Sequence, residues 1–123
     1  MIVVRIIMQV MPEKQKELVQ TILSMIEPME KEKGCISYSL FCNMEDKCLL
    51  NLLQEWHTRR DLDQYLGSDM FGVFLGTKSL LIEPHGINIY TIHQSEGMEA
   101  VYEARGKQRG HSHTVAPNLL KKD

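Results

Sequence analysis

The stretch from Leu49 to Leu75 most constrains the fold, because it places a strand directly before a helix with almost no loop. An apolar run ends at Trp56, which is the only tryptophan in the chain. Thr58 follows as a helix N-cap. Asp61, three residues later, takes the place of the glutamate of a capping box, and its side chain is shorter. Ser68 is a second N-cap, so the helix is broken in two. The stretch therefore predicts a strand that runs into two short helices.

The N-terminal part predicts a strand and then an amphipathic helix. Residues 2–11 are mostly β-branched and apolar, which is typical of a strand, and both faces of this strand are largely apolar. After Pro12, which suits a first helical turn, apolar residues recur at helical spacing. We expect Pro28 to kink or end the helix near Glu27, and Gly34 to act as its C-terminal stop.

Three further segments complete the order of elements. Residues 35–43 and 48–56 alternate between apolar and polar and are joined by a short polar turn, which predicts an antiparallel hairpin. Residues 84–93 predict the last strand. Residues 98–104 are compatible with one or two helical turns, and 105–123 are polar and basic with little periodicity, which predicts an extended or disordered tail.

The order β-α-β-β-α-β predicts a ferredoxin-like α+β sandwich, in which both helices cover one face of a four-stranded antiparallel sheet. We expect residues 1–95 to form this domain and 96–123 to form a C-terminal extension, partly disordered or packing on the dimer proposed next. The chain has 123 residues, which is enough for one domain with its own core.

The sheet face that the helices leave uncovered is predicted to be apolar. The first strand contributes either five apolar residues to it or Val3, Ile7 and Met11, and the third strand contributes either Leu49 and Leu53 or another leucine pair. An open apolar face of this size is normally an interface. We therefore expect a homodimer through the open sheet face, forming a dimeric α+β barrel; the alternative is a monomer whose C-terminal segment covers the face.

Composition excludes several partners. The net charge of −2 and pI near 6.2 give no basic surface for nucleic acid or an anionic membrane. No apolar run reaches the ~20 residues of a membrane span, and the N-terminus does not resemble a signal peptide. Three cysteines without a CxxC motif favour a reducing, cytoplasmic setting over a disulfide framework, although Cys42 and Cys48 are positioned to face each other across the hairpin.

The motifs of the central stretch resemble those of the antibiotic biosynthesis monooxygenase (ABM) superfamily, in particular its quinol monooxygenase-like members. They are Glu55-Trp56-x-Thr58 closing the third strand, Asp61-Leu62-x-x-Tyr65-Leu66-x-Ser68-x-x-Phe71 after it, and Gly34-Cys35-x-x-Tyr38 opening the second strand. The resemblance covers about residues 1–95. It implies that a small phenolic substrate binds between sheet and helices, is deprotonated and passes an electron to O₂ without metal, flavin or other cofactor.

The family's own polar residues are only partly present. Trp56 matches the strand-three tryptophan of the anthrone oxygenases, but the position of their asparagine is Leu52 here. Asn51 is one residue away and so points to the opposite face. Quinol-oxidising members often carry histidine at the position of Tyr65, and the haem-ligating histidine of other members corresponds to Leu75.

Seven residues are candidates for the site. Tyr65 and Arg5 are predicted to be catalytic, and the predicted substrate-binding residues are Trp56, Tyr38, Leu52, Phe71 and Phe74. Each also has a purely structural interpretation: core packing for the apolar and aromatic groups, a buried hydrogen bond for a tyrosine, and an ion pair or solvent for Arg5. His85 and His93 are further candidate bases without a visible partner. His111 and His113 form an HxH pair, too few ligands for a structural metal site, so no metal is expected.

Two functions remain open from the sequence. One is a cofactor-independent monooxygenase that acts on a small quinol or another electron-rich aromatic compound. The other is a non-catalytic dimeric protein on the same scaffold, which binds a small molecule or serves in a stress response. Two departures from the family pattern motivate the second function. Leu52 stands where the anthrone oxygenases have a polar asparagine, and Tyr65 stands where quinol-oxidising members often have histidine.

Overall fold

The computed structural model describes residues 1–109, and the chain divides into two compact units at Ile92 and His93. The first unit has the predicted β-α-β-β-α-β order. Its elements are β1 (Ile2–Gln9), a 3-10 turn (Pro12–Lys14), α1 (Gln15–Glu30), β2 (Cys35–Cys42), β3 (Leu49–Trp56), α2 (Arg59–Leu66), α3 (Asp69–Gly76), a 3-10 turn (Thr77–Leu80) and β4 (Gly86–Thr91). The second unit contains α4 (Met98–Arg109).

The four strands form one antiparallel sheet in the order β2-β3-β1-β4, which confirms the ferredoxin-like α+β fold. The sheet is open within one chain and does not close into a barrel, because β2 and β4 are edge strands. The central pair is in register from Ile2 opposite Trp56 to Gln9 opposite Leu49. This register puts the even-numbered residues of β1 and β3 on the same face.

The core lies between that even-numbered face and the helices. Val4, Ile6 and Met8 of β1 are fully buried, and they form one cluster with residues of α1, α2 and α3. The odd-numbered face of β1 is therefore the open face, which the sequence left undecided. Burying the larger apolar set is favoured, since each buried aliphatic side chain contributes about 1.5–3 kcal/mol.

The sequence predicts that Pro28 kinks or ends α1 near Glu27, and the helix does not end there but continues to Glu30. The reason is the packing of Met29, which is fully buried. Because Pro28 lies in the last turn, it removes a single backbone hydrogen bond there, and burial of Met29 offsets that loss.

Two elements differ from the sequence prediction. Helix α4 continues to Arg109, so residues 105–109 are helical, not extended. Segment 77–82 adds a 3-10 turn and a short bridge to the end of β1, where Val10 pairs with Leu81. This bridge brings the chain after α3 back to the sheet before β4 begins. The proposed domain boundary at residue 95 stays a prediction.

Gly34 and Gly72 differ in whether their surroundings can accept a side chain. Gly34 has φ of +83°, and a Cβ there would overlap the side chain of Asp61. Gly72 lies inside α3 with nothing within 4 Å of the position of a Cβ.

We expect Gly34→Ala to lower the free energy of unfolding by at least about 2 kcal/mol, because it adds left-handed strain and a steric overlap. Gly72→Ala is the matched control and should raise that free energy by about 0.5–1 kcal/mol through helix propensity. Urea unfolding followed by circular dichroism measures both. Equal shifts of the two variants would contradict this account of Gly34.

Candidate functional site

The end of β3 turns directly into α2 through a reciprocal cap. The Thr58 hydroxyl accepts a hydrogen bond from the Asp61 backbone N–H at 3.1 Å and lies 3.0 Å from the Asp61 carboxylate. The backbone N–H of His57 also donates to the Gly34 carbonyl at 2.9 Å. These bonds fix the direction of the chain after Trp56, so that α2 lies over the helix-facing side of the sheet.

A row of ring side chains follows from this turn. Trp56 stacks on Tyr65 with ring centroids 5.1 Å apart and planes at 27°, and Tyr65 meets Phe71 edge-on at 5.2 Å. Phe71 stacks on Phe74 at 5.6 Å, and Phe74 contacts His85 at 4.9 Å. The first four are buried, with Trp56 at 0% and Tyr65 at 1% exposure. We call these five residues the aromatic row.

Polar groups lie at the tryptophan end of the row. Gln54 is fully buried, and its Oε1 accepts a hydrogen bond from the Trp56 indole N–H at 2.9 Å. Tyr38 pairs with Gln54 across β2 and β3 and is also buried. Within the described residues, the Tyr38 hydroxyl and the Gln54 Nε2 have no hydrogen-bond partner. Buried donors without partners are rare, so these two indicate a place where another polar atom binds.

The two tyrosines are held in the neutral form. Burial raises the pKa of Tyr65 far above its ordinary value, and the nearby Tyr38 hydroxyl raises this pKa further. Burial is also the main cause of the raised pKa of Tyr38, and the nearby polar hydroxyl of Tyr65 lowers this pKa by a smaller amount. Both hydroxyls therefore act as hydrogen-bond donors at neutral pH and not as bases.

Six of the seven predicted site residues lie together. Trp56, Tyr65, Tyr38, Leu52, Phe71 and Phe74 all belong to the buried cluster between sheet and helices. Arg5 does not join them: it is opposite Leu53 in the register of β1 and β3, on the open face, and it is exposed. The sheet separates its guanidinium group from the aromatic row. Asn51 also lies on the open face, as its position one residue from Leu52 predicted.

His85 closes the far end of the row. Its Nε2 lies 2.9 Å from the Thr77 hydroxyl, which donates its proton to the Phe74 carbonyl at 2.6 Å. The hydroxyl has one proton, so His85 Nε2–H is the donor and Nδ1 keeps its lone pair. Burial lowers the pKa of His85, which favours this neutral form.

Sequence reasoning missed Gln54 and the Thr77 partner of His85. The signal for Gln54 was present, since it is a polar residue on the apolar, tryptophan-bearing face of β3. Thr77 gave no signal, because it lies in the 3-10 turn that the sequence did not predict.

Two further features bear on function. A groove of about 360 Å³ lies on the open face, lined by Ile7, Gln9, Leu49, Glu83, Pro84 and Gly86. Among residues 1–109, no group of three or more potential metal ligands comes together, and His111 and His113 lie outside the described residues. No helix in this part of the chain is long and apolar enough to cross a membrane.

Comparison with known proteins decides the family. The family model described as antibiotic biosynthesis monooxygenase matches residues 1–76, which include β1 to α3 and the tryptophan end of the row. The chain belongs to the antibiotic biosynthesis monooxygenase family. Membership supports a monooxygenase-like function at the level of the family, and the substrate has to be argued from this chain.

Individual proteins are also similar to this chain, and one of them carries the family's name. A solved structure of a conserved protein from Methanosarcina mazei is 38% identical, has a TM-score of 0.68, and is matched over 72% of this chain and 89% of its own. Another, named an antibiotic biosynthesis monooxygenase, is 18% identical with a TM-score of 0.70, over 76% of this chain and 100% of its own, and shows the fold alone. The uncharacterised protein sll1783 of Synechocystis is 31% identical over 72% of this chain, which spans only 60% of that protein.

We predict that the lowered pKa of His85 makes stability depend on pH. Between the folded pKa and the unfolded value of 6.5, the unfolded chain binds more protons. The free energy of unfolding should therefore fall as pH drops below about 6.5. Chemical unfolding at several pH values should show a weaker fall in His85→Gln than in wild type. His57→Gln, which changes an exposed histidine, is the control and should keep the wild-type profile.

Proposed function

We propose that this protein is a cofactor-independent monooxygenase that acts on a small quinol or another electron-rich aromatic compound. The observation that carries the proposal is the combination of the Trp56 ring with two buried donors, Tyr38 Oη and Gln54 Nε2, that lack partners. A flat ring binds an aromatic ligand by stacking, and the two donors suit an oxygen atom at its edge.

The reaction balances with O₂ as the only co-substrate. A quinol C₆H₆O₂ and O₂ give a hydroxyquinone C₆H₄O₃ and water. One atom of O₂ enters a new C–O bond, and the other leaves as water with two hydrogen atoms from the substrate. The ring loses four electrons and O₂ gains them, so no external reductant is needed.

The residues supply binding, orientation and charge stabilisation. Donors that point at the oxygen of a phenolate stabilise the anion that gives an electron to O₂, and in a buried site each such bond is stronger than in water. Neither tyrosine at this end of the row acts as a base, because both stay protonated. The substrate is therefore expected to lose its proton to solvent before or during binding.

One observation favours the second candidate function. Trp56 and Tyr65 stack at 5.1 Å, so no ring can enter between them. With Leu52 in the place of the polar partner, the site is more apolar than the resemblance implies. A non-catalytic protein that binds a small molecule, as in a stress response, would need only the buried donors and not turnover.

Oxygen consumption tests the catalytic proposal. Purified protein with a hydroquinone panel should take up O₂ faster than buffer alone. Trp56→Leu should reduce kcat/KM about tenfold, because it removes about 1.4 kcal/mol of stacking in the transition state. Leu23→Ala, which changes an exposed residue of α1 outside both the site and the open face, is the control and should leave the rate unchanged.

Uptake no faster than buffer, or equal rates for Trp56→Leu and wild type, would contradict catalysis at this site. A ligand-induced thermal shift without uptake would favour the non-catalytic function.

We also propose that two copies associate through the open sheet face. This face carries Val3, Ile7 and Leu53 at its centre and the exposed rings of Phe41 and Tyr90 at its edges. An apolar sheet surface of this kind is typical of an interface. The Oδ1 atom of Asn51 on the same face is buried and has no partner in the described chain, so a second copy would supply the missing donor.

Size-exclusion chromatography with light scattering tests the dimer. Leu53→Arg should shift the protein to a monomer, because it puts a second positive charge opposite Arg5 in the centre of the face, where burial of an unpaired charge costs several kcal/mol. Leu23→Arg, which changes an exposed leucine on α1, should leave the dimer intact. A wild-type monomer at micromolar concentration would contradict the proposal.

A further inference from the structure

We propose that Tyr65 is an internal occupant of a hydroxyarene-binding site, and that a phenolic ligand binds by taking the place of its side chain. The site consists of the Trp56 ring and the donor atoms of Tyr38 and Gln54. The inference rests on the proposed function for the location of the site. It goes further by giving Tyr65 the role of a gate.

The stacking geometry gives the first argument. The Tyr65 ring lies 5.1 Å from the Trp56 ring at an angle of 27°, which is the offset arrangement that an aromatic ligand also prefers. Both rings are at most 1% exposed. A ligand ring that stacks on this side of Trp56 must therefore use the space that the Tyr65 ring fills.

The hydroxyl end gives the second argument. The Tyr65 hydroxyl lies close enough to Tyr38 and to the Gln54 amide for both to influence its pKa. Yet neither Tyr38 Oη nor Gln54 Nε2 has a hydrogen bond within residues 1–109. The internal phenol is thus near two buried donors without satisfying them, and a ligand oxygen free to move nearer would satisfy both.

The orientation of Gln54 makes the site selective. The Trp56 indole N–H donates to Gln54 Oε1 at 2.9 Å, so the amide oxygen is engaged and the NH₂ group faces the other way. The Gln54 NH₂ group is a donor only, and the Tyr38 hydroxyl adds an O–H donor, so the pair fits a phenol or phenolate oxygen better than a methyl group of the same size.

The position of Tyr65 in the chain suits a gate. It lies in the last turn of α2, and its carbonyl accepts the Ser68 hydroxyl at 2.6 Å and the Ser68 N–H at 3.0 Å. Gly67 separates the two helices. These bonds use the Tyr65 backbone and not its side chain, so displacement of the ring would leave α2 and α3 joined.

A gate and a binding contact give opposite results on truncation. If ligand binding has to displace the Tyr65 ring, Tyr65→Ala removes the competitor and affinity rises. If Tyr65 instead holds the ligand, the same change lowers affinity.

Anaerobic calorimetry with p-cresol and p-xylene tests the proposal without any oxygenation. These probes differ only by a hydroxyl in place of a methyl group, and neither is a quinol. Tyr65→Ala should bind p-cresol at least about tenfold more tightly than wild type does, and at least about fivefold more tightly than it binds p-xylene. Phe74→Ala is the matched control, because it opens a cavity in the same row. In this variant p-xylene should bind at least as well as p-cresol.

Tyr65→Phe keeps the ring and guards against a failure of Tyr65→Ala to fold. Because the Tyr65 hydroxyl makes no hydrogen bond to Tyr38 Oη or Gln54 Nε2, the ring of this variant still competes with the ligand, so p-cresol affinity should stay within about threefold of wild type. In wild-type protein saturated with p-cresol, NMR should show contacts from the ligand to the single indole and loss of those between Tyr65 and Trp56.

Several results would overturn the inference. They are no binding of p-cresol to wild type, persistence of the Tyr65–Trp56 contacts in the complex, weaker binding by Tyr65→Ala, a change of more than about threefold in the affinity of Tyr65→Phe, and equal affinity of Tyr65→Ala for the two probes. If the binding results hold while no oxygen is consumed with quinols, the catalytic proposal alone fails and the assignment of the site stands.

Discussion

Burial of one face of β1 is the constraint on which the rest of this structure depends. The strand is central in the sheet and pairs with β3 on one side and β4 on the other. Its even-numbered residues are buried under the helices, which forces the facing residues of β3 to the same side. Leu52, Gln54 and Trp56 are therefore buried by register, whatever their own polarity.

Among these buried residues, Gln54 is the one whose polarity matters most for the site. A fully buried amide in an apolar cluster is costly unless its atoms are hydrogen-bonded. The Trp56 indole satisfies its oxygen, while the Nε2 group and the neighbouring Tyr38 hydroxyl remain unsatisfied in the described chain. A core built for stability alone would avoid this cost, and the proposed ligand would satisfy these polar groups. The proposed site and the core thus share the same residues.

Much of the fold was predictable from local signals. The caps at Thr58 and Ser68 and the alternation of the strands act within a few residues, and the structure has each of them. Gly34 is not the helix stop that the sequence predicts, because α1 ends at Glu30 with Lys31 as its C-cap and Gly34 lies in the turn before β2. In two other places where prediction failed, a distant contact outweighed the local preference. Helix α1 passes Pro28 because Met29 is buried in the core, and residues 77–82 bridge to β1 because Leu81 pairs with Val10.

The candidate site was predictable as a set of residues but not as an arrangement. The residues that alternate with Trp56, and the aromatic residues at helical spacing after it, follow from periodicity alone. Periodicity alone does not show that Arg5 and Trp56 lie on opposite faces of the sheet. They belong to different strands, so their faces can be compared only when the register between the strands is known.

The sequence by itself determined the order of elements, the family and the aromatic character of the central stretch, because caps, turns and periodicity depend on neighbours in the chain. Tertiary structure alone decided which sheet face is covered, that Arg5 lies across the sheet from the site, and that Tyr65 stacks on Trp56 beside two unsatisfied donors. These depend on distances between residues of different elements, which packing and strand register set.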